Sequence, residues 1–127
     1  MTRILACLLM LVPDACAYPE RPSYGFSAIE EKPQSGMLSH IVSVAGVQCN
    51  THAAKLFHLG DQILILNGIN VSQATSHRYK VALDILKNPK VPIEGKILRI
   101  NGGHKRLIDF NLEARLVKGP FVKPEKC

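Results

Sequence analysis

Apolar and polar positions along this chain fall into short alternations broken by turn residues, with two stretches of helical spacing between them. Tyr24-Gly25-Phe26-Ser27-Ala28-Ile29 alternates like a strand, and Pro33-Gln34-Ser35-Gly36 turns the chain after it. Met37 to Val44, with Ile41, Val42 and Val44 as β-formers, predicts a second strand. Thr51 is placed to cap a short helix over His52 to Phe57 that carries Ala53, Ala54 and Leu56 on one side. Gly60-Asp61 ends that helix, and the apolar run Gln62 to Leu66 follows as a strand. Asn67-Gly68 is a tight-turn signal, because both residues tolerate positive φ, and Ile69-Asn70-Val71 returns as a very short strand. From His77 to Lys87, with Ser76 as candidate cap, Ala82, Ile85 and Leu86 recur at helical spacing until Pro89 and Pro92 stop the helix. Gly95 to Ile100 is the next strand and Asn101-Gly102-Gly103 the next turn. Beyond it Ile108, Phe110, Leu112, Ala114 and Leu116 alternate with polar residues, which predicts one half-buried strand.

Two helices among antiparallel strands predict an α+β fold, a small, partly open antiparallel β-barrel or sandwich. At 127 residues the chain has room for one domain of common size. The start is double-edged. Met1-Thr2-Arg3, the apolar run Ile4 to Val12 and Ala15-Cys16-Ala17 have the basic, apolar and small-residue order of a secretory signal, yet the same residues 1–17 also read as an apolar first-strand region. The run is too short for a stable membrane-spanning helix.

Charge changes the picture at the other end. Between Lys87 and Cys127 stand ten Lys/Arg and four acids, which together carry the whole net charge of +6. Such a basic C-terminal third suits either a solvated surface or an anionic lipid surface. The absence of Trp, with four Phe and three Tyr, argues against a base-stacking platform for nucleic acid. Cys7, Cys16, Cys49 and Cys127 form no CxxC, and the five scattered His supply no zinc-ligand spacing, so free thiols are expected. Asp61 near His52 and His58 is turn chemistry after Gly60 rather than a catalytic acid. No Ser/His/Asp or Cys/His arrangement has local support, which points away from an enzyme.

The element order and several motifs resemble the PDZ domain family over roughly Pro22 to Ile100. Ser23-Tyr24-Gly25-Phe26 resembles the family's Gly-Leu-Gly-Phe carboxylate-binding loop, departing from it at Ser23. Ala53-Ala54 through Leu59-Gly60-Asp61-Gln62-Ile63-Leu64 to Asn67-Gly68 resembles its central signature. The resemblance implies a non-catalytic module, a scaffold or adaptor, that takes up the free C-terminus of partner proteins as an added β-strand and needs no cofactor. It implies that Ser23, Tyr24, Gly25 and Phe26 form the carboxylate loop, and that Ser27 and Ala28 lie on the edge strand receiving the peptide. Tyr79, Leu83 and Leu86 then line the groove from the helix, the register in which Ala82 and Ile85 face the core and His77 stays exposed. Tyr79 would then read the third residue from the ligand's C-terminus, with an acidic residue favoured there.

The same resemblance places a first strand at about Asp14 to Glu20 and a PDZ-like unit over 18–100. Residues 101–118 form a hairpin extension, which would serve as a second interaction edge or cap the sheet, and 119–127 a basic tail. The compartment stays open between cytoplasmic or membrane-associated and secreted. A membrane-surface adaptor binding anionic lipid, or a regulatory fragment of a larger scaffold or protease, are the alternative readings.

Overall fold

The computed structural model describes residues 19–31 and 40–127. The signal-like segment Met1 to Ala17, most of the strand expected at Asp14 to Glu20, and the first residues of the strand expected from Met37 lie outside the described residues. The strands are β1 (Arg21–Ser23), β2 (Phe26–Glu31), β3 (Ile41–Val47), β4 (Gln62–Leu66), β5 (Ile69–Asn70), β6 (Ile93–Asn101), β7 (His104–Leu112) and β8 (Arg115–Val117). The helices are α1 (His52–Leu56) and α2 (Ser76–Lys87). The α+β class holds. The main sheet is six-stranded and antiparallel, in the order β2-β3-β4-β6-β7 with β5 on β4, and β1 and β8 form a separate two-stranded sheet. The sheet is open: its two edges, β2 and β7, do not meet to close a barrel.

Local chemistry explains the boundaries. Gly25 has φ +89, a left-handed conformation that breaks the extended run expected from Tyr24, so β2 starts at Phe26. The same glycine is needed for space, since a Cβ there would lie 2.7 Å from Thr51 Oγ1. Thr51 caps α1 as expected, accepting from the Ala54 N–H at 3.2 Å. On α2 the cap is Thr75 rather than Ser76, accepting from the Arg78 N–H, so the helix begins one residue earlier than His77. β6 and β7 pair in unbroken register from Ile93↔Leu112 to Asn101↔His104 around Gly102 and Gly103. The strand predicted through Leu116 is divided. Phe110 and Leu112 are buried, but pairing with β6 ends at Leu112, and Arg115–Val117 turns away to pair with β1, leaving Leu116 66% exposed.

The core is a single apolar cluster with Phe57 near its centre, its ring in edge contact with Phe26 (centroids 4.7 Å apart) and Phe110 (5.7 Å). Ile93, Ile97, Phe110 and Leu112 belong to this cluster, so the hairpin beyond Ile100 shares the core. Among the described residues one acid lies inside. Asp61 is 2% exposed and is held by Arg99, whose Nε donates to Oδ1 at 3.0 Å and whose Nη2 donates to Oδ2 at 2.8 Å. The Asp61 carboxylate also accepts from the His58 N–H at 2.8 Å, and Arg99 Nη2 donates to the Leu56 carbonyl at 2.8 Å. Turn chemistry is thus half of the role of Asp61; the other half is a fork that ties β6 to the end of α1.

The C-terminal segment is an arm laid against β3. Val47 and Val122 exchange two backbone hydrogen bonds of 2.8 Å each, Gln48 Nε2 donates to the Gly119 carbonyl at 3.0 Å, and Cys49 is disulfide-bonded to Cys127. This corrects the expectation of free thiols at Cys49 and Cys127. The two are 78 residues apart in sequence, and only the pairing of the arm with the end of β3 brings them together. Cys7 and Cys16 lie outside the described residues.

Two stability outcomes follow from these ties. Arg99→Met leaves the Asp61 carboxylate buried without its cation and is expected to cost about 3–5 kcal/mol in urea unfolding, with Asp61→Asn in the same chain recovering part of the loss. An unchanged urea midpoint in Arg99→Met would contradict the fork. Reducing Cys49–Cys127 releases a loop worth about 4 kcal/mol in the chain-entropy account, so thermal melts with and without dithiothreitol should differ by roughly 10–20 °C.

Candidate functional site

Whether β2 is a free edge is decided by which of its backbone groups point toward β3. Val47 gives both its N–H and its C=O to Val122, so in the pair Phe26↔Val47 no ladder bond is exchanged, and the Phe26 N–H and C=O face away from β3. Val44 donates to the Asp61 carbonyl at 2.8 Å and accepts from the Gly60 N–H at 3.0 Å, so the same holds for its partner Ala28. By alternation it holds for Glu30 as well. Phe26, Ala28 and Glu30 therefore present a row of donors and acceptors on the outer edge of β2, and no strand among the described residues covers it.

Helix α2 lies along this edge. Tyr79, in its first turn, touches Glu30 near the end of β2, whereas Tyr24, just before β2, donates from its hydroxyl to the Val91 carbonyl beyond the helix at 2.6 Å. The helix thus runs antiparallel to the strand, and a groove of about 300 Å³ opens between them. Ser23, Tyr24, Phe26, Ser27, Ala28, Leu83 and Leu86, all singled out from sequence, line it. Along the helix Ala82 is buried, Leu83, Ile85 and Leu86 are half-buried against the core, and His77 is exposed.

Two sequence-predicted residues sit differently. Gly25 lies behind the groove, lining a broader depression of about 860 Å³ with Asn50, Thr51 and residues of β8. That depression is larger but open and mixed in polarity, and although β7 and β8 border it no apolar helix face stands opposite them, so the smaller groove, where an open strand edge faces Leu83 and Leu86, is the better site. The Gly25 N–H, expected to face an anion, donates instead to Ser23 Oγ at 2.9 Å, and the Ser23 hydroxyl donates to Gln48 Oε1. The Ser23 hydroxyl thus closes the Gly25 donor into the loop itself, while the Phe26 N–H faces outward with those of Ala28 and Glu30.

Tyr79 sits at the far end. Its ring stacks on His40 with centroids 3.8 Å apart, and its hydroxyl donates to Glu30 Oε2 at 3.2 Å. Burial first, then the negative charge of Glu30, push its pKa up to about 12, so the phenol stays a proton donor across the ordinary pH range. Burial likewise raises the pKa of Tyr24. The Tyr79 hydroxyl expected to meet an acidic ligand residue is therefore engaged by an acid of the protein itself.

Sequence reasoning missed Lys87, Glu30 and Phe121, which also line the groove. Lys87 was within reach of the pattern, because Tyr79, Leu83 and Lys87 recur every fourth residue on one helix face. It places a cation at the loop end of the groove, opposite in sign to Glu30 at the other end. Among the described residues no group of three His, Cys, Asp or Glu is placed to hold a metal ion, and no helix is long and apolar enough to cross a membrane. Compared with known proteins, the chain matches no family model and no curated protein sequence.

Proposed function

We propose that this protein is a non-catalytic, PDZ-like interaction module that binds the free C-terminus of a partner protein as an extra strand on β2. The observation that carries this reading is the open hydrogen-bonding edge of Phe26, Ala28 and Glu30 facing the apolar side of α2. A peptide running antiparallel to β2 pairs with that edge and ends at the loop before Phe26. Its last side chain enters the apolar hole made by Phe26, Leu83 and Leu86, and its carboxylate meets the Phe26 N–H and the Lys87 ammonium. The groove alone supplies the chemistry of recognition, and no cofactor takes part.

The first test compares a free C-terminal peptide with its C-terminal amide. The free acid is expected to bind at least about tenfold more tightly, and Lys87→Ala to lower the affinity of the free acid by roughly two- to fivefold, the worth of one partly exposed charge pair. Equal affinities for acid and amide would reject the carboxylate end of the groove.

Charge at the other end sets a second expectation. Because Glu30 occupies the Tyr79 hydroxyl, an acidic side chain at the third residue from the ligand's end meets a like charge. Peptides with Lys there should bind roughly two- to fivefold better than peptides with Glu, and Glu30→Gln should erase the difference. A Glu preference retained in Glu30→Gln and lost in Tyr79→Phe would restore the tyrosine as an acid-reading group.

A further inference from the structure

An added strand has two faces, and the groove accounts for only one. Successive side chains of a strand point to opposite sides, so a peptide that sends its last residue toward Phe26 and α2 sends its penultimate residue to the face where Ser27 points. That outer face carries a large apolar group brought from elsewhere in the chain. Phe121, on the C-terminal arm, is 48% exposed and lines the groove beside Ser27. It gets there because Gly46, the β3 partner of Ser27, has no side chain: a Cβ at Gly46 would stand 3.3 Å from Phe121 Cβ, 3.4 Å from Ser27 Oγ and 3.2 Å from the Val122 carbonyl. The position is fixed on both sides, by the Gln48–Gly119 hydrogen bond before it and by the Val47–Val122 hydrogen bonds and the Cys49–Cys127 disulfide after it.

We infer that Phe121 forms a second subsite, which selects an apolar penultimate residue in the bound C-terminal peptide; this rests on the strand-addition reading above. The partner it fits is a C-terminus whose last two side chains are both apolar, one for each face of β2. Ile29, 51% exposed on the same outer face, extends the apolar strip one step further along the strand.

The test uses the full chain under non-reducing conditions and three peptides, identical but for Leu, Ala or Asp at the penultimate position, each as free acid and as amide. Fluorescence polarisation is expected to give Leu about fivefold tighter binding than Ala, with Asp weakest. Phe121→Ala should bring Leu and Ala to about equal affinity while the acid-over-amide preference persists, and Phe121→Leu should retain part of the selectivity. Because the side chain is half exposed, melting curves of both variants should stay near that of the parent chain. A Leu preference that survives Phe121→Ala, or carboxylate-dependent binding with no penultimate preference in the parent chain, overturns the subsite and leaves strand addition standing. Failure of every free-acid peptide to bind overturns both.

Discussion

The hydrogen-bonding edge of β2 is the constraint around which the rest of the structure is arranged. A free edge is a hazard, because it invites pairing with any extended chain. Here it is bounded on one side by an amphipathic helix and at its start by a loop folded back on itself, with a groove of about 300 Å³ between strand and helix. Gly25 makes the loop by turning left-handed against Thr51, and Thr51 in turn caps α1 and donates to the Gln48 carbonyl at 2.6 Å. The loop, the first helix and the end of β3 therefore form one hydrogen-bonded unit.

The remaining ties keep that unit and the sheet in fixed relation. Arg99 joins β6 to the end of α1 through Asp61, and Asp61 gives its own carbonyl to β3, so one buried ion pair links the strand next to β2 with the middle of the sheet. The disulfide does the same for the C-terminal arm. Neither tie supplies a group to the groove directly. Both hold the walls, and the arm adds Phe121 to one of them.

Local patterns were enough to place most of the groove. The spacing of Tyr79, Leu83 and Leu86 sets the helix face, and the Gly-Asp-x-Ile-Leu run before Asn67-Gly68 sets the two central turns, because each depends on neighbours a few residues away. What stayed hidden depends on pairing across the chain. Arg99 reads as one more strand-face cation until Asp61 is brought beneath it. Cys49 and Cys127 read as free thiols until the arm pairs with Val47. The alternation through Ala114 and Leu116 looks continuous, yet the partner changes from β6 to β1 after Leu112. Ser76 and Thr75 are both good caps, and only the hydrogen bond to Arg78 chooses between them. Tyr79 was legible as a residue on the same helix face as Leu83, but its partner was not, since Glu30 comes from a strand 49 positions earlier.

Hydrogen exchange at single-residue resolution, on the full chain with a saturating free C-terminal peptide, tests strand addition most directly. The amides of Phe26, Ala28 and Glu30 should gain protection on binding. Those of Ser27 and Ile29, already directed toward β3, should change little. Unchanged exchange at all three outward amides, or protection gained along the β7 edge instead, would contradict the account.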